Sequence, residues 1–182
     1  MSKELEVKIL DIDSKKMEEK LKNIGAKLIK KEYQINIIID GKDNYIQQKL
    51  NSYLRIRETQ DLMSNKVKDT FTLKQNISKD GIRENIETDV DIDNKEKLIY
   101  ILKTLGLNVI HEGKKKRISY MYGKVRFDID TWDKDTYPYP YMEIEVEKKE
   151  DLKKILELLG IDRNKISTKS IAELREDLRI NL

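Results

Sequence analysis

Residues 4–8 of this chain read Glu4-Leu5-Glu6-Val7-Lys8, a strict alternation of charged and apolar side chains. Successive side chains of a β-strand point to opposite faces of the sheet. Glu4, Glu6 and Lys8 therefore share one face of a predicted strand that runs to residue 10. In a half-buried antiparallel sheet, such a charged face is ordinarily solvated. The stretch gains its significance from the strands that follow it.

The rest of the chain alternates predicted strands with predicted helices, which indicates an α+β fold. Seven more segments have the period-two pattern of strands, and they cover residues 33–40, 53–58, 69–75, 82–90, 115–121, 124–130 and 141–147. Helical spacing of apolar residues covers residues 14–24, 94–105 and 150–159, each followed by a glycine. A fourth helix is predicted to begin at Ser170, where Glu173 completes a capping box. Tyr122-Gly123 predicts a hairpin turn, and residues 42–51 and 60–68 are predicted loops.

The charged faces of these strands are segregated by sign. Glu143, Glu145 and Glu147 share a face near the end of the chain, as Glu4 and Glu6 do near its beginning. The strands between them carry cations, namely Arg55, Arg57, Lys74, Lys115 and Arg117. A generic solvated surface would mix Lys, Glu, Ser and Thr on each strand. If the sheet closes with these faces inside, one wall of its interior is acidic and another is basic.

Such an interior favours a polyanion bound together with divalent cations. Crowded carboxylates raise one another's pKa, and unpaired buried charges are costly. Arg and Lys side chains hold phosphate oxygens, while carboxylates hold metal ions that bridge the phosphates. Phosphoryl transfer needs little beyond this positioning and charge neutralisation.

The composition limits the kind of metal and of partner. The chain has no cysteine and one histidine, His111, so the metal ligands should be oxygens and the ion magnesium, manganese or calcium. Its 37 Lys+Arg and 34 Asp+Glu leave a net charge of +3, which gives little support to nucleic-acid binding. No signal peptide or apolar run of membrane-spanning length is visible. We expect a cytoplasmic protein with no nucleic-acid or membrane partner, and we interpret His111 as a structural or surface residue.

The order of the charged motifs along the chain is more specific than any one of them. Glu4-Leu5-Glu6-Val7-Lys8 resembles an ExExK signature. The later matches are Leu54-Arg55-Ile56-Arg57 (LRxR), Phe71-Thr72-Leu73-Lys74 (TLK), Arg83 to Glu87 (RxxxE), Lys115-Lys116-Arg117 with Tyr120 (KxR…Y), Asp130-Thr131-Trp132 (DTW), Pro140 to Glu145 (PYxEIE) and Ser170 to Leu174 (SxxEL). Together they resemble the CYTH superfamily, the triphosphate tunnel metalloenzymes. The resemblance covers nearly the whole chain, and we treat residues 1–182 as one CYTH-like domain.

This resemblance implies a closed or nearly closed antiparallel eight-stranded β-tunnel with helices packed outside. The implied ligands of Mg²⁺ or Mn²⁺ are Glu4, Glu6, Asp130, Glu143 and Glu145, and the implied catalytic residues are Glu4, Glu6, Lys8 and Asp130. The implied substrate-binding residues are Lys8, Arg55, Arg57, Lys74, Arg83, Glu87, Lys115, Arg117 and Lys169. Asp128 is an alternative to Asp130, which we prefer because Thr-Trp follows it. The resemblance is also compatible with a homodimer.

Three functions follow from the resemblance, which includes class IV adenylyl cyclases, thiamine triphosphatases and inorganic triphosphatases. Our first hypothesis is metal-dependent hydrolysis of a triphosphate, whether tripolyphosphate, a nucleoside triphosphate such as ATP, or thiamine triphosphate. The second is a class IV adenylyl cyclase, which converts ATP to cyclic AMP and pyrophosphate. The third is a sensor that binds polyphosphate without turnover, although binding alone would not need so many acidic residues.

Overall fold

The alternating segments form one closed antiparallel sheet. The computed structural model describes residues 2–179. Its strands are β1 (Ser2–Ile9), β2 (Lys27–Asp40), β3 (Ser52–Asp61), β4 (Val67–Ser78), β5 (Arg83–Ile92), β6 (Asn108–Tyr122), β7 (Val125–Trp132), β8 (Tyr141–Val146) and β9 (Ile166–Ser167). All eight predicted strands are present, and the predicted hairpin joins β6 to β7.

Strand β1 closes the sheet into a tunnel. The strand order is β5-β4-β3-β2-β6-β7-β8-β1, and β1 pairs again with β5. One edge of β1 pairs with β8. Its other edge pairs first with β5, through residues 2–6, and then with the short strand β9, through Lys8 and Ile9. The predicted eight-stranded tunnel is confirmed, with β9 as an additional strand that the sequence did not indicate.

Residues 2–179 contain five helices, of which four connect strands and the last follows β9. They are α1 (Ser14–Asn23), α2 (Tyr45–Leu50), α3 (Lys95–Thr104), α4 (Lys149–Leu158) and α5 (Ile171–Asp177), with short 3₁₀ turns at Lys42–Asn44 and Arg163–Lys165. The predicted capping box at the start of α5 is present, because Ser170 and Glu173 bond each other's backbone N–H groups. None of the helices within residues 2–179 has the length and apolar character needed to cross a bilayer.

The prediction of a loop over residues 42–51 was wrong, because that segment contains helix α2. The carboxylate of Asp40 is buried at the end of β2 and accepts hydrogen bonds from the backbone N–H groups of Ile46 (2.7 Å) and Gln47 (3.1 Å). A carboxylate that accepts N–H groups at a helix start stabilises that helix. The cap comes from outside the local segment, so local sequence patterns did not indicate it.

The hydrophobic core lies outside the tunnel wall. Helices α1 and α4 cover β1, β7 and β8, and the fully buried side chains there include Val7, Leu21, Phe127, Met142 and Ile144. Helix α3 covers the opposite side, where Leu102 packs near Ile37, Ile39 and Ile56. Burial of the apolar faces outward stabilises the wall and leaves the polar faces to form the interior.

Leu21→Ala should test the outer core. Leu21 is 0% exposed on α1, so the truncation leaves a cavity and should lower the free energy of unfolding by about 2–5 kcal/mol. Leu158→Ala is the matched control on α4, because Leu158 is 51% exposed and its loss should change stability by less than about 0.5 kcal/mol. Denaturant unfolding of both variants gives the comparison, and equal effects would contradict this placement of the core.

Candidate active site

The inward faces of all eight long strands line one cavity of about 1620 Å³. Pockets for drug-sized ligands are commonly about 300–1,000 Å³, so there is room for an extended ligand with its counter-ions. The structure brings most of the predicted site residues to this cavity, namely Glu4, Glu6, Lys8, Arg55, Arg57, Lys74, Arg83, Glu87, Lys115, Arg117 and Glu143. Strand pleating explains the convergence, since these side chains occupy alternate positions.

Lys74 forms ion pairs with carboxylates of β1 and β5. Its Nζ lies 2.6 Å from Glu4 Oε2, 2.8 Å from Glu87 Oε1 and 3.5 Å from Glu6 Oε1. Asn85 Nδ2 donates a further hydrogen bond to Glu6 Oε1 at 2.9 Å. Burial raises the pKa of Glu4 even though Lys74 opposes it. Burial also pushes the pKa of Glu87 upward, but Lys74 and Arg55 outweigh it and lower that pKa to about 2.

Asp130 holds two cations of β6 in place. Arg117 donates to it from Nε at 2.7 Å and from a terminal nitrogen at 2.6 Å, and Lys115 Nζ donates at 2.8 Å. Asp130 is 0% exposed, and its carboxylate does not line the cavity. Burial opposes its ionisation, yet Arg117 and Lys115 together lower its pKa. Lys115 also lies 4.9 Å from the centre of the Trp132 ring, and burial and Arg117 lower the pKa of its amine to about 7.

Glu143 joins this group from strand β8. Arg117 donates to its Oε2 at 2.6 Å, and Lys8 Nζ lies 3.2 Å from its Oε1. Burial alone would raise the pKa of Glu143, but Lys8 and Arg117 hold it well below the usual range. Glu143 therefore faces the cavity as an ionised carboxylate.

The two aspartates of β7 differ in their freedom to bind a ligand. Asp128 faces the cavity, and its Oδ2 lies 2.7 Å from Arg117 and 3.2 Å from Arg126. Its Oδ1 is buried and has no hydrogen-bond partner among residues 2–179. Asp130, in contrast, uses both oxygens on Arg117 and Lys115. The two residues share a strand face, so the alternation pattern alone could not distinguish them.

Arg57 is a cation without a carboxylate partner. Its Nε donates to Asn36 Oδ1 at 2.9 Å, and no carboxylate of the described chain (residues 2–179) lies within 4 Å of its guanidinium. Burial, with the nearby charges of Arg55 and Arg117, lowers its pKa to about 10. Arg55 is also incompletely satisfied, because its buried Nε has no hydrogen-bond partner within residues 2–179. This part of the tunnel thus has an excess of positive charge.

Around Glu145 the tunnel wall has an excess of negative charge. Burial raises its pKa to about 7 despite its ion pair with Arg126, and Glu4, Asp128 and Glu6 add to the rise. The groups that add to this rise are all carboxylates, and carboxylate oxygens suit a hard divalent cation. Within residues 2–179 no three acidic or histidine side chains already converge on one point. Lys74 and Arg126 occupy Glu4 and Glu145 instead.

The structure does not bring Lys169 to the tunnel. Its amine pairs with Asp177 at 2.6 Å, and both side chains are half exposed. Arg83 is buried and lies 3.9 Å from Glu6, and it also donates to the carbonyl of Thr168 at 3.1 Å. It therefore links the acidic strand β1 to the segment before α5.

The cavity is also lined by residues that the sequence analysis did not assign to the site, among them His111, which it interpreted as structural or surface. Gln34 and Asn36 of β2 are each 1% exposed and line the cavity, as does the half-buried His111 of β6. Polar residues at alternate positions within the isoleucine-rich segment 33–40 were the available signal for the first two. His111 precedes Lys115 by four residues, and that even spacing places both on the inward face.

Asp130→Asn should destabilise the protein by about 3–5 kcal/mol, because it removes the carboxylate partner of buried Lys115 and one of the three carboxylates that pair with Arg117. Asp91→Asn is the control, since Asp91 pairs with Lys68 in solvent and its loss should cost less than about 1 kcal/mol. The measurement is the free energy of unfolding from denaturant titration.

The pH dependence supplies a second readout for the same variant. Because the fold lowers the pKa of Asp130, its contribution is present above the ordinary aspartate pKa of about 3.9 and is lost as the pH falls through the lowered value. The Asp130→Asn variant should lack that part of the acid sensitivity. A variant as stable as the parent at neutral pH would contradict this role.

Comparisons with known proteins agree with this geometry. The sequence model described as the CYTH domain matches residues 2–171. A Methanocaldococcus jannaschii protein, provisionally named an adenylate cyclase, is 33% identical over 94% of this chain and 98% of its own length. A solved structure from Pyrococcus horikoshii is 25% identical, with a TM-score of 0.77 over 97% of this chain and 99% of that chain.

A more distant likeness concerns the fold alone. A structure from Hippeastrum has a TM-score of 0.70 at 18% identity and covers 100% of this chain and 98% of that chain. That protein is described as a provisional adenylyl cyclase with a dominant triphosphatase activity. From the closed tunnel, its charged interior and the match over residues 2–171, we conclude that this chain belongs to the CYTH domain family.

Proposed function

We propose that this protein hydrolyses a triphosphate inside the tunnel with the help of divalent metal ions. The observation that carries the proposal is a pair of opposite charge excesses on the inward strand faces, where Glu145 lies opposite Glu6 and Arg126 although it does not itself line the cavity. Arg57 has no carboxylate partner and is crowded by Arg55 and Arg117, while Glu145 is crowded by other carboxylates. A polyanion relieves the first excess and divalent cations relieve the second, so a metal triphosphate satisfies both at once.

The cationic wall would hold the phosphates. Arg55, Arg57 and Arg117 offer planar guanidinium groups, which can donate two parallel hydrogen bonds to one phosphate. Lys8 and Lys115 would add point charges on either side. Lys74 would move from the carboxylates of β1 toward a phosphate oxygen as metal ions take over those carboxylates. Binding of the substrate and of the metal would then be mutually dependent.

The metal would be held by Glu4, Glu6, Glu143 and Glu145, together with Asp128. We assign Asp128 rather than Asp130 because one of its buried oxygens has no partner within the described residues. Asp130 would act as a positioning residue that orients Lys115 and Arg117. A bound Mg²⁺ or Mn²⁺ supplies Lewis acidity, which offsets phosphate charge and polarises the attacking water. The arginines and lysines would stabilise the negative charge that develops on the departing phosphate.

Adenylyl cyclase activity is the second candidate, and the provisional name of the 33%-identical relative favours it. Both reactions need the same phosphate and metal residues and differ in which phosphorus lies in line with the nucleophile. The Hippeastrum protein supports hydrolysis, since its described activity is mainly triphosphatase. Polyphosphate sensing without turnover is less well supported, because binding alone would not require this many metal ligands. The homodimer and the cytoplasmic location stay predictions.

Product analysis separates these functions. The purified protein is incubated with Mg²⁺ or Mn²⁺ and with tripolyphosphate, ATP or thiamine triphosphate, and the products are identified by chromatography. We expect orthophosphate and no cyclic AMP. Formation of cyclic AMP and pyrophosphate from ATP would show that the protein is an adenylyl cyclase and not a hydrolase. Binding of all three compounds without turnover would support the sensor hypothesis.

Glu4→Gln with Glu6→Gln should abolish metal-dependent turnover and leave the fold intact. Amides are weaker metal ligands than carboxylates. The fold should persist because Lys74 keeps its ion pair with Glu87 when Glu4 and Glu6 are neutral. Glu112→Gln is the control, because this exposed residue of β6 points away from the tunnel. Activity assays with circular dichroism test the pair, and full activity in the double variant would refute the metal assignment.

Arg57→Gln should weaken triphosphate binding without lowering the stability of the fold. Arg57 has no ion pair with the described residues, so its replacement should not lower the free energy of unfolding and can raise it by relief of repulsion from Arg55. Affinity for tripolyphosphate should fall at least tenfold, which corresponds to about 1.4 kcal/mol. Calorimetric titration measures the binding, with Lys116→Gln on the outward face of β6 as the control. Unchanged affinity in Arg57→Gln would remove Arg57 from the phosphate site.

A further inference from the structure

The inward face of β6 continues past its cations to His111. Residues 111, 113, 115 and 117 share this face, so His111 lies about 13 Å along the strand from Lys115. Across the sheet, His111 pairs with Ile38, and Ile38 pairs with Arg55. His111 therefore borders the phosphate-holding cations on the side of the tunnel toward α5. A group attached to the end of a bound triphosphate would meet it there.

The ring of His111 is held by a chain of hydrogen bonds. Its Nε2 lies 3.1 Å from Thr136 Oγ1, and the Thr136 hydroxyl donates to Asp133 Oδ2 at 3.0 Å. Asp133 is itself fixed, because it accepts the backbone N–H groups of Lys114 and Thr136. Arg175 Nη1 lies 3.3 Å from the same Nε2, so both hydrogen-bonding contacts of the ring are made by Nε2. Nδ1 is therefore the ring nitrogen that stays open to a ligand.

Nothing within residues 2–179 bonds to that nitrogen. The ring lines the cavity, and Nδ1 has no hydrogen-bond partner in this part of the chain. Burial and the neighbouring Arg175 lower the pKa of His111, which keeps the ring neutral near pH 7. Arg175 donates to the backbone carbonyls of Asp135 and Thr136 at 3.0 and 2.9 Å, so it also fixes the turn that carries Thr136.

Gly113 makes this arrangement sterically feasible. A Cβ atom at position 113 would lie 2.5 Å from Thr136 Oγ1 and 3.0 Å from the Trp132 ring. Any larger residue would push the turn away from β6 and release the His111 ring. The close approach is specific to this point of the strand, and its effect is to bring Thr136 against His111.

We propose that His111 selects the organic part of the substrate, through a hydrogen bond between its Nδ1 and a sugar hydroxyl of a nucleoside triphosphate. The inference rests on the proposed function, because the triphosphate must first occupy the cationic wall. His111 is a specificity residue here, and Thr136, Asp133 and Gly113 are positioning residues that act through it. Bare tripolyphosphate has no group to reach the ring and is indifferent to it.

The test compares ATP, 2′-deoxy-ATP, 3′-deoxy-ATP and tripolyphosphate by calorimetric titration with Mg²⁺ and by kcat/KM. His111→Ala should weaken ATP binding by about three- to tenfold, the effect of one hydrogen bond, and leave tripolyphosphate within about twofold. Removal of the contacted hydroxyl should weaken binding to the wild-type protein equally. The two losses should not add when the deoxynucleotide is bound to His111→Ala, since they report the same bond.

Two further variants test the positioning. Thr136→Val removes the hydroxyl at constant shape, and Gly113→Ala displaces it, so both should reduce the preference for ATP in the same direction as His111→Ala. Val109→Ala should leave it unchanged, because a register shift between His111 and Val109 turns Val109 to the outward face of β6.

The outcomes separate this inference from the proposed function. Equal losses for ATP and tripolyphosphate, or no loss for either, would overturn the role of His111 even if hydrolysis is confirmed. Additive losses with both deoxynucleotides would overturn the sugar contact. If the wild-type protein turns over no triphosphate but His111→Ala still loses affinity for ATP alone, the inference holds and the hydrolase proposal fails.

Discussion

Buried charge inside a closed sheet is the constraint on which the rest of this structure depends. A carboxylate or guanidinium removed from water costs several kcal/mol unless a partner compensates it. The interior meets that requirement by pairing each wall with the other, as where Lys74 gathers Glu4 and Glu87 and where Asp130 binds Lys115 and Arg117. Because the interior is polar, the hydrophobic core has to lie outside the wall, under α1, α3 and α4.

Not every buried charged group has a partner, and the groups without one indicate the function. Both carboxylate oxygens of Asp130 accept hydrogen bonds from Lys115 or Arg117, so this residue has a structural role. Among the described residues Arg57 has no carboxylate partner, and Arg55 Nε and Asp128 Oδ1 have no hydrogen-bond partner. Glu145 is crowded by like charges. A stable fold has little reason to keep such groups buried, because each one is destabilising. They mark the places where a ligand, rather than the protein, completes the electrostatics.

Much of this architecture could be predicted from strand parity. Alternation alone assigned the inward faces of β1, β3, β6 and β8, since a residue two positions along a strand returns to the same side. Parity could not choose between Asp128 and Asp130, which share a face, because the choice depends on which cations reach each carboxylate. It could not find α2 either, whose cap is Asp40 from the preceding strand. Lys169 was placed by motif order in a segment without regular alternation, and there sequence position says little about direction.

The closure of the tunnel through β1 has a consequence for how the protein assembles. This first strand has no neighbour close in sequence, since its partners are residues 83–87, 142–146 and 166–167. Contacts between distant segments cost loop entropy before they stabilise anything, so β1 should be incorporated late during folding. Glu4 and Glu6 belong to β1, so their carboxylates reach the tunnel only when this strand is inserted. A partly folded chain can therefore hold a cationic half-tunnel that attracts polyanions, but the acidic half of the site is incomplete until β1 has been inserted.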